Sequence, residues 1–599
     1  MSDERATRRS RRRRGWIIGV VAVFGVIAAA VASLVYGGLK ARAEIEAASS
    51  SVNAVRSEVL SGDTEKAFVN VAAAQDQTQR ARDLTHGPVW SVAGAIPWVG
   101  HTPGLISTAT DAANEITRAA LPGLVESSSA LSAAAVASGG DLRIDVKALA
   151  QAAGPIGRAN EVLQQQKNRL ADVPTSGVPT RLTGPFDDLQ TTISDVASLT
   201  SGLSDIASVA PSMLGATATK RYLLAVQQPA EARGTGGLLG AYAVLEVTDG
   251  RVSVARTGPR SDLDPSNQSA PRVDLGADYA QLWGEDPGWW VNGNVSPNFP
   301  YAAQIWSDLG RRAGLGRIDG VIATDPIALA ALMKVTGPVT ANGRSITADE
   351  LVPLVTKGVY AQIPNDDNQR DVYLQGIAAA VLGSVLSGKG DTGQWLDALG
   401  AMAQQRRVLL WSADQTAQSV IADSPAGGSV PDGGAQAKSS PYAFVVVNNT
   451  GGTKLDSYLK RTVEYRGGAC EADSRVTTLT ITLTNDAPTG LPPYVVTRSD
   501  RGGRNGTTVI ANGDNRLLVS SYLSAGAGVL TATLDGQRLA VTAGSERGHP
   551  VIAFPLESAR GSTHVVVLTL REPRTDAPAR LDVQPLVLDQ KSVVDVAPC

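Results

Sequence analysis

The stretch EARGTGGLLGAYAVLEVTDGRVSVARTGPRSDLD, Glu231 to Asp264, sets the reading of the chain. Ala241–Val247 and Arg251–Arg256 alternate with period two, and Asp249-Gly250 between them is a strong signal for a two-residue hairpin turn. A glycine-rich lead-in carries Arg233, and the exit carries Arg260, Asp262 and Asp264. A hairpin returns the end of its second strand to the edge where its first began. The four charged residues are therefore expected to converge. Arginine offers a planar fork for phosphate or carboxylate. A carboxylate beside it suits Mg²⁺ shared with substrate phosphates, and glycine lets backbone approach a bulky ligand. A surface cluster of ion pairs beside a flexible loop is the plainer reading of the same residues.

The surrounding pattern is mixed. Arg221–Val226 and Ile318–Ala323 read as buried strands. Thr324-Asp325-Pro326 reads as a helix N-cap with proline at the first position, and a longer helix is expected from near Arg370 to about Leu386. Residues 216–425 are thus expected to form an α/β domain. The four histidines, His86, His101, His549 and His564, and both cysteines fall outside it. That excludes a Ser-His-Asp triad, a cysteine nucleophile or a histidine-ligated zinc within this domain. GTGGLLG, Gly234–Gly240, lacks the GK[ST] of a phosphate loop and leads into a strand. DPGWWVNGNVSPNFP, Asp286–Pro300, brings Trp289, Trp290 and Asn294, whose rings and amide suit a sugar or a lipid-linked head group; core packing is the alternative for the tryptophans. Asp366 and Asp367 complement a helix dipole, which leaves Arg370 without a local explanation.

Beyond this domain, residues 440–599 carry β-signals: VTTLTITLTN at Val476–Asn485 alternates, and Asp535-Gly536 marks another hairpin. A β-sandwich is expected there, behind a linker at 426–439 rich in Gly, Ser, Pro and Ala. Residues 39–215 repeat apolar positions at three- and four-residue spacing, with much of the apolar content alanine, and are expected to be an all-α region. Residues 1–15 form a basic tail, and Trp16–Gly38 carries no charge. About twenty apolar residues at 1.5 Å rise span a bilayer of roughly 30 Å. The expectation is an uncleaved single-pass anchor in the cell membrane, N-terminus cytoplasmic and the bulk of the chain outside; Ala30-Val31-Ala32 as a signal-peptidase site is the alternative. An outside location permits a Cys470–Cys599 disulfide, two unpaired small residues being the alternative. The net charge of −3 gives no general drive toward nucleic acid.

EARGTGGLLGAYAVLEVTDGRV, NGNVSPNFPYAAQIW, RIDGVIATDPIALAALMKVTGPV and NNTGGTKLDSYLKRTVEY together resemble a bacterial family catalogued as domain of unknown function four thousand and twelve. A weaker resemblance, carried by Arg233, Pro259-Arg260-Ser261-Asp262 and Arg370, is to the LytR-CpsA-Psr family. Those membrane-anchored envelope enzymes transfer glycan phosphate from a polyprenyl pyrophosphate carrier, holding pyrophosphate with arginines and Mg²⁺ with aspartates. The resemblance implies that Arg233, Arg260 and Arg370 clamp the pyrophosphate and that Asp262 and Asp264 hold Mg²⁺. The family's RSD motif is replaced here by Arg233-Gly234-Thr235, so one metal ligand is missing unless Asp264 substitutes. The expected function is binding of a polyprenyl-phosphate-linked glycan in wall or exopolysaccharide assembly, with its transfer as the enzymatic extension. A non-enzymatic envelope scaffold is the alternative.

Overall fold

The computed structural model describes residues 3–61, 63–96, 100–138, 141–260, 273–284, 290–434, 440–501 and 513–599. The chain divides into two units. The first runs to Pro211, and the second holds Val136–Ile144 and everything from Ser212.

The first unit is helical. One helix runs Asp3–Ser61 and a second Thr64–Thr85, the latter capped by Asp63, whose carboxylate accepts from Lys66 N at 3.2 Å. Alanines at Ala41, Ala48, Ala67, Ala74 and Ala81 are buried, so helices approach closely and bury little area each. Buried hydroxyls pair between helices, Thr78 with Thr117 and Thr85 with Thr110, both at 2.7 Å. Larger side chains, Leu105, Leu170, Phe186 and Ile193, make a separate core cluster.

Two expectations are corrected here. Residues 16–38 belong to the first helix, but among the described residues no helix is long and apolar enough to cross a membrane, so the expected transmembrane anchor is not supported. The side chains of residues 16–28, most of the expected span, lie outside those described, and beyond Gly38 the helix carries Lys40, Arg42, Glu44 and Glu46. Nor is 39–215 all helix. Strands β1, Ala135–Ser138, and β2, Asp141–Ile144, interrupt it. Ile144 N donates to Gly250 O at 3.0 Å, so one side of β2 is held by chain far outside its own sequence window.

The second unit begins with β3, Lys220–Arg233; β4, Gly236–Thr248; β5, Arg251–Pro259; β6, Gly320–Thr324; the small hairpin β7, Val339–Ala341, and β8, Arg344–Ile346; and β9, Val408–Ser412. Five of these join β1 and β2 in one sheet, in the order β1-β2-β5-β4-β3-β6-β9, and β7 pairs with β8 apart from it. Only the β3–β6 pair among the registered contacts is parallel. Asp249 and Gly250 take φ of 46° and 73°, the positive values a type I′ turn needs. Leu223, Ala225 and Val244 pack with Trp290, Phe299 and Trp306 on one face, while Tyr222, Leu224, Ala243 and Leu245 fill the other. Both faces are covered, which is why Tyr222–Val226 of β3 is an unbroken apolar run. Asp325 caps the helix Pro326–Thr336 by accepting from Ala328 N at 2.8 Å, and Asp366 caps Asp367–Leu386 by accepting from Gln369 N at 2.9 Å.

The expected linker at 426–439 is not one throughout. Val430 is fully buried and donates its N–H to Asn298 Oδ1 at 3.0 Å, and Gly428, at φ 58°, passes against Leu409 and Phe299. Residues 435–439 lie outside the described ones.

The remaining strands are β10, Tyr442–Asn449; β11, Leu459–Cys470; β12, Ser474–Asn485; β13, Asn515–Leu523; β14, Gly528–Leu534; β15, Gln537–Arg538; β16, Thr542–Glu546; β17, His549–Ser558; β18, Thr563–Pro573; β19, Arg580–Val583; and β20, Gln590–Asp595. They form two sheets, β16-β17-β13-β10-β19 and β15-β14-β18-β12-β11-β20. Side chains from both, among them Val445, Val519, Phe554, Ile481 and Leu568, share one core. On β12 every second residue is buried, Leu479, Ile481 and Leu483 alternating with half-exposed threonines. Cys470 and Cys599 are disulfide-bonded, their Cα atoms 5.9 Å apart.

His549 is buried in this layer, its Nδ1 2.7 Å from Leu523 O and its ring 4.6 Å from that of Tyr442. Burial, helped by Arg547, holds its imidazole below the ordinary value against the backbone hydrogen bonds to Leu523 and Pro431 and the charge of Asp432. A histidine depressed in the folded state takes up its proton first in the unfolded chain, so stability is lost as pH falls through about 6.5 toward the folded value. We predict that the denaturation midpoint falls between about pH 7 and pH 5 and that His549→Gln flattens this limb. Identical limbs in the two proteins would refute it.

Candidate ligand cleft

The ribbon end is shaped by irregularity in β3. Its register with β4 shifts between Val226 and Gln227 and again between Gln228 and Ala232, around Pro229, which has no N–H to offer a ladder. Beyond the second shift, β3 and β4 extend as a hairpin against the sandwich, where Ala232 N donates to Asp456 Oδ2 at 2.7 Å. The glycines here serve packing. A Cβ on Gly234 would lie 2.4 Å from Val295 O, and one on Gly237 2.2 Å from the Gln228 carbonyl carbon.

Arg233 rides on this extension and is buried. Its Nε donates to Val291 O at 2.9 Å and its Nη1 to Asn449 O at 2.8 Å, while Nη2 stands 3.5 Å from Glu231. It does not line the neighbouring cleft, contrary to the expectation from hairpin geometry, because it belongs to the β3–β4 hairpin rather than to the β4–β5 ribbon. Trp290 packs in the core against Trp306, at 1% exposure, because a large ring fills the space under the helix Phe299–Arg312. Asn294 is also fully buried: its Nδ2 donates to Gln227 Oε1, Thr235 Oγ1 and Gly237 O, which pins the hairpin tip. Neither offers a surface to a ligand. Asp262, Asp264 and Trp289 lie outside the described residues.

The cleft itself has a volume of about 530 Å³ and lies between the α/β layer and the sandwich. Leu329, Leu351, Val355, Leu374, Ile377 and Val381 line it. So do Arg260, just past the end of β5, Arg370, Lys454 and Tyr494, with Glu231 and Asp371. Lys454 Nζ donates to Glu231 Oε2 at 2.6 Å. Burial opposes the Glu231 charge, but Lys454, Arg233 and Arg260 hold its carboxyl below the ordinary value. Burial likewise opposes the Lys454 ammonium, and Glu231, with Tyr360 and Tyr494, outweighs it and raises its pKa. Burial raises the Asp371 carboxyl, against the pull of Arg370 and Arg260.

Arg370 is covered. Its guanidinium carbon sits 3.6 Å from the Tyr494 ring centre and 5.7 Å from that of Tyr360, and the two rings stack at 5.6 Å. Its Nη1 donates to Ile363 O at 3.0 Å, and Asp367 pairs with Nη2. Arg370 therefore builds the aromatic wall, while Arg260 and Lys454 bring the charge.

Lys454 and Tyr494 were not among the residues expected at the site. Lys454 is presented by the NNTGGTKLD loop, whose form is fixed by a buried polar network. Asn449 Oδ1 accepts from Gly451 N at 3.0 Å and Gly452 N at 2.8 Å, Asn449 Nδ2 donates to Asp456 Oδ2 at 2.8 Å, and Asn515 Nδ2 to Asp456 Oδ1 at 2.7 Å. A run of Asn, Thr, Gly and Asp before a strand was the available signal for a fixed loop; nothing local told where it would point.

Fold and cleft together define an α/β domain joined to a two-sheet domain, with an amphipathic, cation-lined cleft between them. Residues 218–360, from β3 to the helix Val359–Gln362, match the model of a family described only as a protein of unknown function, DUF4012. No curated protein and no solved structure matches the chain. The likeness to the LytR-CpsA-Psr family rests on the residues quoted above alone.

Proposed function

We propose that this cleft binds an amphipathic anion, a polyprenyl-phosphate-linked glycan, with the prenyl chain along the leucine and valine side and the phosphates at Arg260 and Lys454. The observation that supports this reading is that aliphatic side chains and the cations Arg260 and Lys454 line a single cleft. Burying prenyl carbon there contributes about 25 cal/mol per Å², and charge-assisted hydrogen bonds fix the head group. The disulfide supports placing the second unit in an oxidising compartment outside the cytoplasm, where such lipids present their glycans.

The reading is binding, with no step routed through a metal. Among the described residues no group of three or more His, Cys, Asp or Glu could hold an ion. Glu231 is committed to Lys454 and Arg233, which leaves Asp371 as the other carboxylate of the cleft. The described carboxylates do not fit Mg²⁺. The Mg²⁺ expectation rests on Asp262 and Asp264 beyond them.

The test is equilibrium binding of a polyprenyl pyrophosphate in detergent, with and without EDTA, beside the matching prenyl alcohol. Arg260→Ala is expected to weaken pyrophosphate binding by about 1.5–3 kcal/mol, roughly ten- to hundredfold, and to leave the weaker alcohol binding unchanged. Weaker binding in EDTA would assign Mg²⁺ to Asp262 and Asp264 and favour transfer, and binding unchanged by EDTA would favour a carrier. Equal affinity for alcohol and pyrophosphate, or an Arg260→Ala protein that binds normally, would remove the proposal.

A further inference from the structure

A larger cavity, about 920 Å³, lies elsewhere in the second unit, bordered by the chain entering β9 and by the segment joining β19 to β20. Five arginines reach it. Three are accounted for by the fold. Arg406 donates to Pro297 O at 2.7 Å and Gly428 O at 2.6 Å, Arg547 to Val430 O at 2.8 Å, and Arg580 to Asp582 at 2.7 Å.

Arg407 and Arg461 differ. Arg407 bonds Asp325 Oδ2 at 2.5 Å and Leu586 O at 2.8 Å, but its Nε meets no acceptor among the described residues. Arg461, on β11, is 4% exposed, and only Nη2 is used, toward Gln584 O at 3.0 Å and Leu588 O at 3.2 Å; its Nε and Nη1 meet no acceptor among the described residues. Its side chain has no carboxylate partner within ion-pair distance among them, whereas Arg407 holds Asp325 and stands 4.0 Å from the fully exposed Asp589. Burial, and then the neighbouring Arg407, push the Arg461 guanidinium down to about 10. A buried guanidinium with two unused donors is costly, because its lost water is not replaced. Beside a cavity, that deficit marks a place where an oxyanion would be held by a planar fork. Gln404, Gln405, Asp423 and Asp432 also line the space, amides and carboxylates suited to hydroxyl groups.

We propose that this cavity binds a saccharide carrying a phosphate or carboxylate, with the anionic group on Arg461 and Arg407. The proposal stands independently of the lipid cleft, with which it shares no lining residue.

Calorimetric titration of the full chain with glucose 1-phosphate, glucuronate and glucose tests it. At least one of the two anions should bind and glucose should not, and the anion that binds identifies the oxyanion chemistry. Arg461→Gln should weaken the anion roughly tenfold or more. Asp589→Asn, at an exposed position, removes a competing charge and should tighten it by about threefold. Failure of both anions to bind at about millimolar concentration, or equal binding of glucose, overturns the proposal. So does an Arg461→Gln protein of unchanged affinity. If that variant does not fold, Asp589→Asn decides, and no tightening overturns the proposal.

Discussion

Replacing Cys470 and Cys599 by serine is expected to lower the unfolding free energy of the second unit by about 4–5 kcal/mol in the chain-entropy account. The bond closes a sequence separation of 129 residues, which contains β12 to β20, so its loss frees most of the sandwich in the unfolded state. The folded state should change little. Arg574 Nε still donates to Cys599 O at 2.9 Å, Cys599 N to Thr575 O at 2.9 Å, and Arg475 to Ala597 O. Urea unfolding of the oxidised protein and the double variant, followed by tryptophan fluorescence, measures the difference. A midpoint unmoved by the substitution, with the bond shown present in the parent by mass spectrometry of non-reduced peptides, would contradict the expectation.

Glu231→Ala is expected to cost about 3–5 kcal/mol, because it strands charge rather than because it deletes a contact. Lys454 is 11% exposed and Glu231 9%, and Arg233 beside them is 8% exposed. Removing the carboxylate leaves an ammonium and a guanidinium facing each other in a dry region. The second-site change Lys454→Met should restore a large part of the loss, since an apolar chain of similar length needs no partner. Guanidinium denaturation of the single and double variants measures this. A single variant as stable as the parent, or a double variant no better than the single, would show that the pair is hydrated after all. The pair also positions Lys454, so Glu231→Ala should weaken lipid binding together with stability.

Much of this architecture was written locally. Asp249-Gly250 and Asp535-Gly536 place left-handed φ values where a two-residue turn needs them, and Asp325-Pro326 is a complete helix-start signal within two residues. Threonine alternating with leucine and isoleucine marks β12 within one strand length. The cleft was legible only in part. Arg260 follows β5 directly, so its place depends on one hairpin. Arg233 depends on a second hairpin, and its position turns on the register shifts around Pro229, which the alternation of Ala241–Val247 does not reveal. Lys454 and Tyr494 come from the far domain, and no spacing rule connects them to Glu231. Strand β2 within 39–215 was missed for the same reason, since its partner β5 lies far along the chain. The anchor was expected from the uncharged run Trp16–Gly38, which continues into a charged helix.

The closing segment of the sandwich sets an order of events. β19 pairs in parallel with β10, and β20 in parallel with β11, so this short stretch contributes a strand to each sheet. Between them, Gln584 Nε2 donates to Arg233 O at 2.7 Å and to Val447 O at 2.8 Å, which fastens the α/β hairpin to the sandwich. These residues leave the ribosome after every strand they join. A nascent chain therefore holds both sheets open along one edge, with neither the Gln584 bonds nor the Cys470 cross-link made, until these residues and Cys599 have been synthesised. Parallel pairing also forbids a simple hairpin zip. The last step is a docking of distant partners, so a chain arrested before Arg580 would present unpaired edges of β10 and β11 to chaperones and proteases.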